Sequence, residues 1–385
     1  MKFAKKAFTT GLAAIVMSGG LATTTVPARA AGRVDLAKPT FSHPTRITNP
    51  LFPARRLDQL LQLGSEDGEK LRFETTRLKT PVAIRWGGKT IDTVVQQFVA
   101  YGDGRVAEVA VDYYAQADDG SVWYFGEKVD NYVDGVIHDH SGTWLAGRDG
   151  PPGMIMPAHP RVGDVFRPEN IPGLVLEVAT VTATGLTVAG PRGPVPGAIR
   201  VRNLELDGSI EQKIFAPAYG EFQASVAATG ESYEAALAIP ADSIHCRRPR
   251  RLIALDTTAA RVLVAAGRHD WRLTDQLVRT LNQTWIAHRH EVRVPTKLSA
   301  QFSETLQALR KAVASRKAVT IRQAAVKVGL AAVDLQAQYR SVRATDHARI
   351  AWWRHQLQID RATGDAGEIA GDKAVLTAIR NRLVG

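Results

Sequence analysis

The sequence predicts an α+β protein in which a strongly bent antiparallel β-sheet, either a half-barrel or a sandwich, precedes an up-and-down α-helical bundle. Three observations lead to this prediction. Short alternating apolar stretches, separated by Gly-Asp, Asp-Gly and Pro-Gly turns, fill residues 46–242. Apolar residues recur at helical spacing in residues 255–385. The formal charge also changes sign, because residues 246–385 hold 25 Lys and Arg against 11 Asp and Glu.

The first thirty residues have the pattern of a secretory signal peptide. Three lysines precede a short apolar run, and Ala28-Arg29-Ala30 is the small-residue pattern of a cleavage site. We expect cleavage after Ala30 and a secreted or periplasmic protein. The later apolar runs are too short to cross a bilayer, so the mature chain is expected to have no transmembrane segment.

The β domain, residues 46–242, follows an extended lead-in at residues 31–45. Asp119-Gly120 and Asp134-Gly135 each fit the two-residue turn of a β-hairpin. They predict two consecutive hairpins around the aromatic run Val122 to Gly126. Further strands are predicted at 71–78, 90–101, 106–115, 174–188, 198–206, 210–215, 221–227 and 233–239.

A basic linker, residues 243–254, separates the β domain from the helical domain, residues 255–385. Asp270 is a plausible N-cap for the first long helix of a bundle of four or five helices. Leu252 to Val264 is interpreted as a short helix or a strand at the junction. A basic run can bind nucleic acid, but export argues against that partner.

Three runs of sequence resemble a family of exported bacterial proteins with no assigned function. They are YYAQADDGSVWYFGE, GTWLAGRDGPPGMIMPAHPRVGD and KIFAPAYGEFQ, within residues 45–240. Ala117 stands where the family pattern usually has an acid. A second resemblance, of residues 255–385 to exported helical modules, rests on AAVDLQAQYR and on the segment Asp346 to Arg349. Both resemblances imply export, and neither implies a reaction.

Two histidines on one predicted strand are the candidate metal ligands. His138 and His140 stand at i and i+2, so their side chains share one face of the strand. An acid from a neighbouring strand, Asp112 or Glu127, would complete a transition-metal shell. The alternative interpretation is that the histidines are exposed polar residues beside a turn.

A haem or metal centre in the bundle is a second alternative, since four histidines lie on two predicted helices: His288, His290, His347 and His355. The sequence contains neither an E-x-x-H pair nor a C-x-x-C-H attachment site, so no cofactor is predicted. Recognised hydrolase and nucleotide-binding motifs are also missing from the sequence. Any enzyme here would belong to an unrecognised class.

The sequence therefore favours an exported, non-catalytic binding or scaffolding protein of the bacterial cell envelope. Its partner would be a small apolar or anionic ligand, or another envelope protein, and the oligomeric state is left open. The alternatives are a metal- or haem-binding periplasmic protein and an enzyme of unrecognised class. The acidic first half and the basic second half are expected to attract each other if they dock.

Overall fold

The computed structural model of the chain describes residues 32–384. It contains a large, mostly antiparallel sheet followed by six helices, which confirms the predicted α+β class. The predicted leader, residues 1–30, lies outside the described residues. The strands are β1 (Gly32–Arg33), β2 (Gln59–Glu66), β3 (Glu69–Arg77), β4 (Val82–Trp86), β5 (Lys89–Gly102), β6 (Arg105–Gln116), β7 (Val122–Val133), β8 (Val136–Asp139), β9 (Trp144–Leu145), β10 (Gly153–Met156), β11 (Asp164–Phe166), β12 (Asn170–Ile171), β13 (Val175–Gly190), β14 (Gly193–Glu205), β15 (Ile210–Ala216), β16 (Gly220–Val226) and β17 (Glu231–Ile239).

The sheet is built mainly from hairpins and is not closed into a barrel. Strand β2 pairs with both β3 and β17, which joins the first and last strands of the domain in one ladder. From there the sheet continues through β5, β6 and β7 to β10 on one side, and through β16, β15, β14 and β13 to β11 on the other. Both predicted hairpins are present, between β6 and β7 and between β7 and β8. The two-residue turn is confirmed at Asp134-Gly135, whereas five residues, 117–121, connect β6 to β7.

The two ends of this sheet curl towards a common core. Tyr114 and Tyr124 from β6 and β7 belong to the same cluster of buried apolar residues as Val201 and Phe215 from β14 and β15. Strands far apart in the ladder therefore face one another across the interior. This arrangement gives the sheet an inner face, lined by aromatic and apolar residues, and an outer face.

Six helices follow the sheet: α1 (Arg250–Gly267), α2 (Trp271–Glu291), α3 (Thr296–Ala314), α4 (Ala318–Ala337), α5 (Val342–Thr363) and α6 (Ala366–Val384). As predicted, Asp270 caps α2, because its side chain accepts a hydrogen bond from the Leu273 N–H. Gly329 allows α4 to approach α5, since a Cβ there would lie 2.1 Å from the Trp352 ring. A bulkier residue at 329 would push these helices apart.

The junction differs from its prediction in length and in structure. Helix α1 begins at Arg250, inside the segment predicted as a linker. Leu252 and Leu255 are fully buried on α1, so their apolar pattern belongs to a core helix. The junction segment Leu252 to Val264 is thus helical, and the bundle has six helices where four or five were expected.

The bundle packs on the outer face of the sheet. One buried apolar cluster joins Leu61 of β2 and Leu237 of β17 to residues of α1–α5, and another joins Val99 of β5 to α5 and α6. The tip of the β7–β8 hairpin also contacts α6 closely, because a Cβ on Gly135 would lie 2.2 Å from the Gly371 nitrogen. The two halves of the chain therefore share apolar cores.

A buried ionic network crosses the same interface and involves three arginines and three acids. On α5, Arg349 lies 3.0 Å from Asp334 of α4 and 3.2 Å from Asp346. Arg382 of α6 lies 2.6 Å from Asp346. The β3 residues complete the network: Arg72 contacts Asp334 at 2.5 Å, and Glu74 contacts Arg72 at 2.6 Å and Arg382 at 2.7 Å. With three charges of each sign, the network is formally neutral.

Opposite charges therefore do meet between the two halves, inside the interface. Burial alone would raise the pKa of Glu74, but Arg349, Arg382 and Arg72 outweigh burial and hold that pKa well below its usual range. Among residues 32–384, no helix combines the length and the apolar character needed to cross a membrane.

Candidate functional site

Three neighbouring strands carry acidic side chains on the inner face of the sheet. Glu177 on β13 lies opposite Glu205 on β14, and Asn203 on β14 lies opposite Glu211 on β15. Along each strand the inward positions change from apolar to polar, for example from Val201 to Asn203 to Glu205. We call Glu177, Asn203, Glu205 and Glu211, together with Lys213, the inner acidic site.

The carboxylates of this site converge. One oxygen from each of Glu177, Glu205 and Glu211 lies within 4.8 Å of the other two. Among the described residues, they form the only group of three or more His, Cys, Asp or Glu side chains that converge in this way. Glu177 is buried, and the other two are partly buried. Such spacing is short enough for one cation to contact all three groups.

Asn203 contributes a polar atom that the protein itself leaves unsatisfied. Its Nδ2 donates a hydrogen bond to Glu177 Oε1, which places the amide beside the carboxylates. The side chain is only 2% exposed, yet in the described part of the chain its Oδ1 accepts no hydrogen bond. Because a buried oxygen without a donor is costly, this atom offers an unused lone pair beside the carboxylates.

Lys213 supplies a positive charge within the site. Its Nζ lies 3.2 Å from Glu177 Oε1, 3.1 Å from Glu211 Oε2 and 3.6 Å from Glu221 Oε2. Burial alone would lower the pKa of Lys213, but the surrounding glutamates outweigh burial and raise it well above its usual value. The ammonium group therefore stays charged and offsets part of the negative charge.

One ammonium group cannot balance the charge of these carboxylates. Bound protons neutralise part of the remaining negative charge. Burial, followed by the charge of Glu177, raises the pKa of Glu205 to about 8. Burial also raises the pKa of Glu211 to about 7, against the opposing effect of Lys213. Both groups therefore exchange protons near neutral pH.

The wall opposite the site is also polar. Asp112 of β6 accepts a hydrogen bond from the Tyr124 hydroxyl at 2.9 Å, and burial raises its pKa to about 7. Tyr114 stacks on Tyr124 with ring centroids 4.8 Å apart, and Tyr114 lies close enough to Lys213 for their charges to interact. The inner face thus has carboxyl groups on both walls, and aromatic rings beside them on β6 and β7.

Chemically, the inner acidic site offers hard oxygen ligands, one unpaired amide oxygen and two exchangeable protons. Oxygen donors of this kind suit Ca²⁺, Mg²⁺ and Mn²⁺, whereas softer metals prefer imidazole and thiolate. A divalent cation would displace the protons of Glu205 and Glu211 and compete with the ammonium of Lys213. Exchange of protons for a metal ion is the chemistry that this set of donors would support.

The structure does not gather the four residues predicted as a metal site. Asp112 and Glu127 are cross-strand neighbours of each other. Asp139, however, pairs with Asn131, which shares a strand face with Glu127, so His140 points to the other face. His138 lies at a β-bulge, where the alternation of the strand is interrupted. Their side chains are 66% and 65% exposed, and His140 Nδ1 contacts Asp130 at 2.9 Å.

The bundle histidines lie in separate environments. His288 is buried beside Trp285, and burial lowers its pKa. His355 lies against Trp352, with ring centroids 5.8 Å apart, while His290 and His347 are exposed. Among the described residues, none of these histidines belongs to a converging group of three or more potential ligands.

Sequence reasoning placed the strands of the inner acidic site but missed the site itself. The signal was present as polar residues at inward positions of three adjacent strands: Glu177, Asn203 with Glu205, and Glu211 with Lys213. Finding it requires the register between strands that are up to 36 residues apart, the separation of Glu177 and Lys213. Spacing within one strand does not contain that information.

Comparisons with known proteins give no indication of the function. No family model, curated protein or solved structure matches the chain. The resemblance to exported bacterial proteins therefore stays a prediction. Its hairpin motif is found in β6 and β7, and its Met-Pro-Ala-His-Pro segment follows β10.

Proposed function

We propose that this chain is an exported, non-catalytic binding protein of the bacterial cell envelope whose β domain binds one hard divalent cation at the inner acidic site. The observation that carries the proposal is the buried Asn203 Oδ1, which has no hydrogen-bond donor and lies beside three converging carboxylates. An oxygen lone pair left unpaired at this position is what a bound cation would use.

The charge of the inner face selects the class of ligand. An anionic ligand would meet Glu177, Glu205 and Glu211 together and be repelled, so the anionic ligand expected from the sequence does not suit this face. A divalent cation would displace the protons bound to the glutamates. It would also replace part of the attraction between the glutamates and Lys213. Three carboxylates and one amide oxygen supply at least four ligands, and water would complete the six to eight that Ca²⁺ takes.

Export supports the same proposal from the sequence side. The pattern of residues 1–30 is that of a signal peptide, and it would deliver the folded domain outside the cytoplasm. Binding a cation there would add stability to a protein whose single cysteine, Cys246, cannot form an internal disulfide.

Calorimetric titration with Mn²⁺ and with Ca²⁺ tests the proposal. We expect one bound ion per chain, and at least about tenfold weaker binding in the double variant E205Q/E211Q. Glutamine has the shape of a protonated glutamic acid, and both groups carry protons near neutral pH, so the variant should fold. The control D92N/E69Q removes two acids elsewhere in the sheet and should bind like the unmodified protein.

Two results would contradict the proposal. One is an absence of binding to the unmodified protein by either ion, and the other is equal binding by E205Q/E211Q and by the control. A thermal shift measured in parallel checks folding, because an ion at 100 times its Kd adds about 2.7 kcal/mol of stability.

A second candidate function, an enzyme of unrecognised class, is favoured by the same raised pKa values. Glu205 and Glu211 hold protons near neutral pH beside Glu177, and such pairs are used in general acid–base catalysis. Substrate turnover that continues in metal-free protein and is lost in E205Q would favour this candidate over the binding protein.

A further inference from the structure

The bundle contains an open groove between α5 and α6, on the far side of these helices from α4. Its volume is about 460 Å³, and it is open to solvent along one side. Arg343, His347, Arg354 and Arg380 line it together with Ile350 and Leu383. This groove belongs to the half of the chain that carries the excess of positive charge.

The cationic side chains of the groove are available for a ligand. Arg343, His347 and Arg354 follow one face of α5, at spacings of four and seven residues, and Arg380 faces them from α6. All four are exposed. In the described part of the chain they form no ion pair with an acidic side chain, although Arg343 Nη1 donates to the Leu383 carbonyl oxygen at 3.2 Å.

The floor of the groove is apolar. Ile350 is 7% exposed and belongs to the apolar cluster that joins the bundle to β5 and β6, and Leu383 packs against that cluster. Val384, at the end of the groove, is 87% exposed. An apolar chain lying on this floor would cover surface that water now reaches, while its charged end could lie among the arginines.

We propose that this groove binds a single-chain amphiphile with an anionic headgroup, of the fatty-acid class. Guanidinium groups line the groove along its length, because Arg343 and Arg354 stand about 16 Å apart on α5. A carboxylate lying beside one of them would suit it, since arginine binds planar anions through paired hydrogen bonds. The concave shape and limited volume fit one acyl chain and not a flat bilayer surface. This inference does not depend on the inner acidic site, which lies on the other face of the sheet.

Calorimetric titration with dodecanoate, below the concentration at which it forms micelles, tests the inference. We expect one dodecanoate per chain, and at least a tenfold loss of affinity in R354Q/R380Q. The control R272Q/R279Q removes two exposed arginines from α2 and should leave the affinity unchanged. Dodecanol should bind at least tenfold more weakly than dodecanoate, because it has the chain without the charge.

Each of the following outcomes would overturn the inference: no binding of dodecanoate to the full chain, equal affinity in R354Q/R380Q and the control, or equal affinity for dodecanol. Full displacement of dodecanoate by inorganic phosphate would also overturn it, because the apolar floor would then contribute nothing. So would binding to phosphatidylglycerol vesicles by a protein that does not bind monomeric dodecanoate.

Discussion

Arg382 Nη1 donates a hydrogen bond to Glu74 Oε2 at 2.7 Å, and these two residues are 308 positions apart in the chain. Arg382 lies on the last helix and Glu74 on the third strand, and both side chains are almost fully buried. Their contact shows that the acidic and basic halves of the chain are joined through charges that water does not reach. Removing one partner of a buried charge pair is strongly destabilising, because the other charge stays buried without compensation.

Replacing Arg382 by methionine should lower the free energy of unfolding by about 3–5 kcal/mol, because the buried network around Glu74 and Asp346 would keep three acids with only two arginines. Chemical denaturation measures this loss. The control K373M changes an exposed residue on the same helix and should alter stability by less than about 0.5 kcal/mol. A loss in R382M no larger than in K373M would show that the network is not formed.

Docking of the two halves should resist salt. The ionic network is buried, and the apolar clusters that contain Leu61 and Val99 cross the same interface. At 0.1 M salt, interactions between exposed charges more than about 10 Å apart are largely screened, whereas buried pairs are screened much less. Small-angle scattering should therefore give the same radius of gyration at low and at high NaCl concentration. Expansion on adding salt would instead indicate docking by exposed charges.

Removing the charge of Lys213 should have opposite effects on stability and on cation binding. In K213M, the carboxylates of Glu177 and Glu211 lose their ammonium partner. The loss should be about 2–3 kcal/mol, less than for a fully buried pair because the Lys213 side chain is 16% exposed. A divalent cation no longer competes with the ammonium, so Mn²⁺ should stabilise K213M more than the unmodified protein.

Thermal denaturation with and without Mn²⁺ measures both effects in one series. The control K128M changes an exposed lysine on β7 and should match the unmodified protein in both conditions. A smaller Mn²⁺ effect in K213M than in the unmodified protein would contradict competition between the metal and Lys213.

Cation binding should strengthen as the pH rises. The pKa values of Glu205 and Glu211 are raised to about 8 and about 7 in the folded protein, from an ordinary value of 4.5. Between about pH 4.5 and about pH 8, the folded state therefore binds more protons than the unfolded state. The cost of ionising the two groups is absent below about pH 4.5, grows as the pH rises and is complete above about pH 8.

A divalent cation must displace these protons, so its apparent Kd should fall at least about tenfold between pH 6 and pH 8. The same titration in E205Q/E211Q should show little dependence on pH in this range. An apparent Kd of the unmodified protein that stays constant from pH 6 to pH 8 would contradict the raised pKa values.

Local sequence signals were sufficient to predict most of the fold. Asp119-Gly120 and Asp134-Gly135 identified their hairpins because a tight turn depends on the residues of the turn itself: φ is positive at Gly120, Asp134 and Gly135. Asp270 identified the start of α2 for the same reason, since an N-cap bonds to a backbone group three residues away. Both devices act within a few residues, so the sequence displays them directly.

Contacts between distant segments could not be predicted in this way. Arg349 and Arg382 stand on helices where arginine normally faces water, and only the packing of α5 and α6 on the sheet buries them. The inner acidic site likewise depends on the register of β13, β14 and β15. His138 and His140 were the more visible candidates because their spacing is local. His140, however, lies on the face away from Glu127, and a β-bulge at His138 interrupts the strand alternation on which the prediction depended.

Anomalous X-ray scattering from crystals grown with Mn²⁺ tests the central claim, that the inner acidic site binds a cation, most directly. The account predicts one strong peak about 2.0–2.6 Å from oxygens of Glu177, Glu205 and Glu211 and from Asn203 Oδ1, with Lys213 Nζ moved away from it. No peak at these oxygens, at a Mn²⁺ concentration that gives peaks elsewhere on the chain, would contradict it.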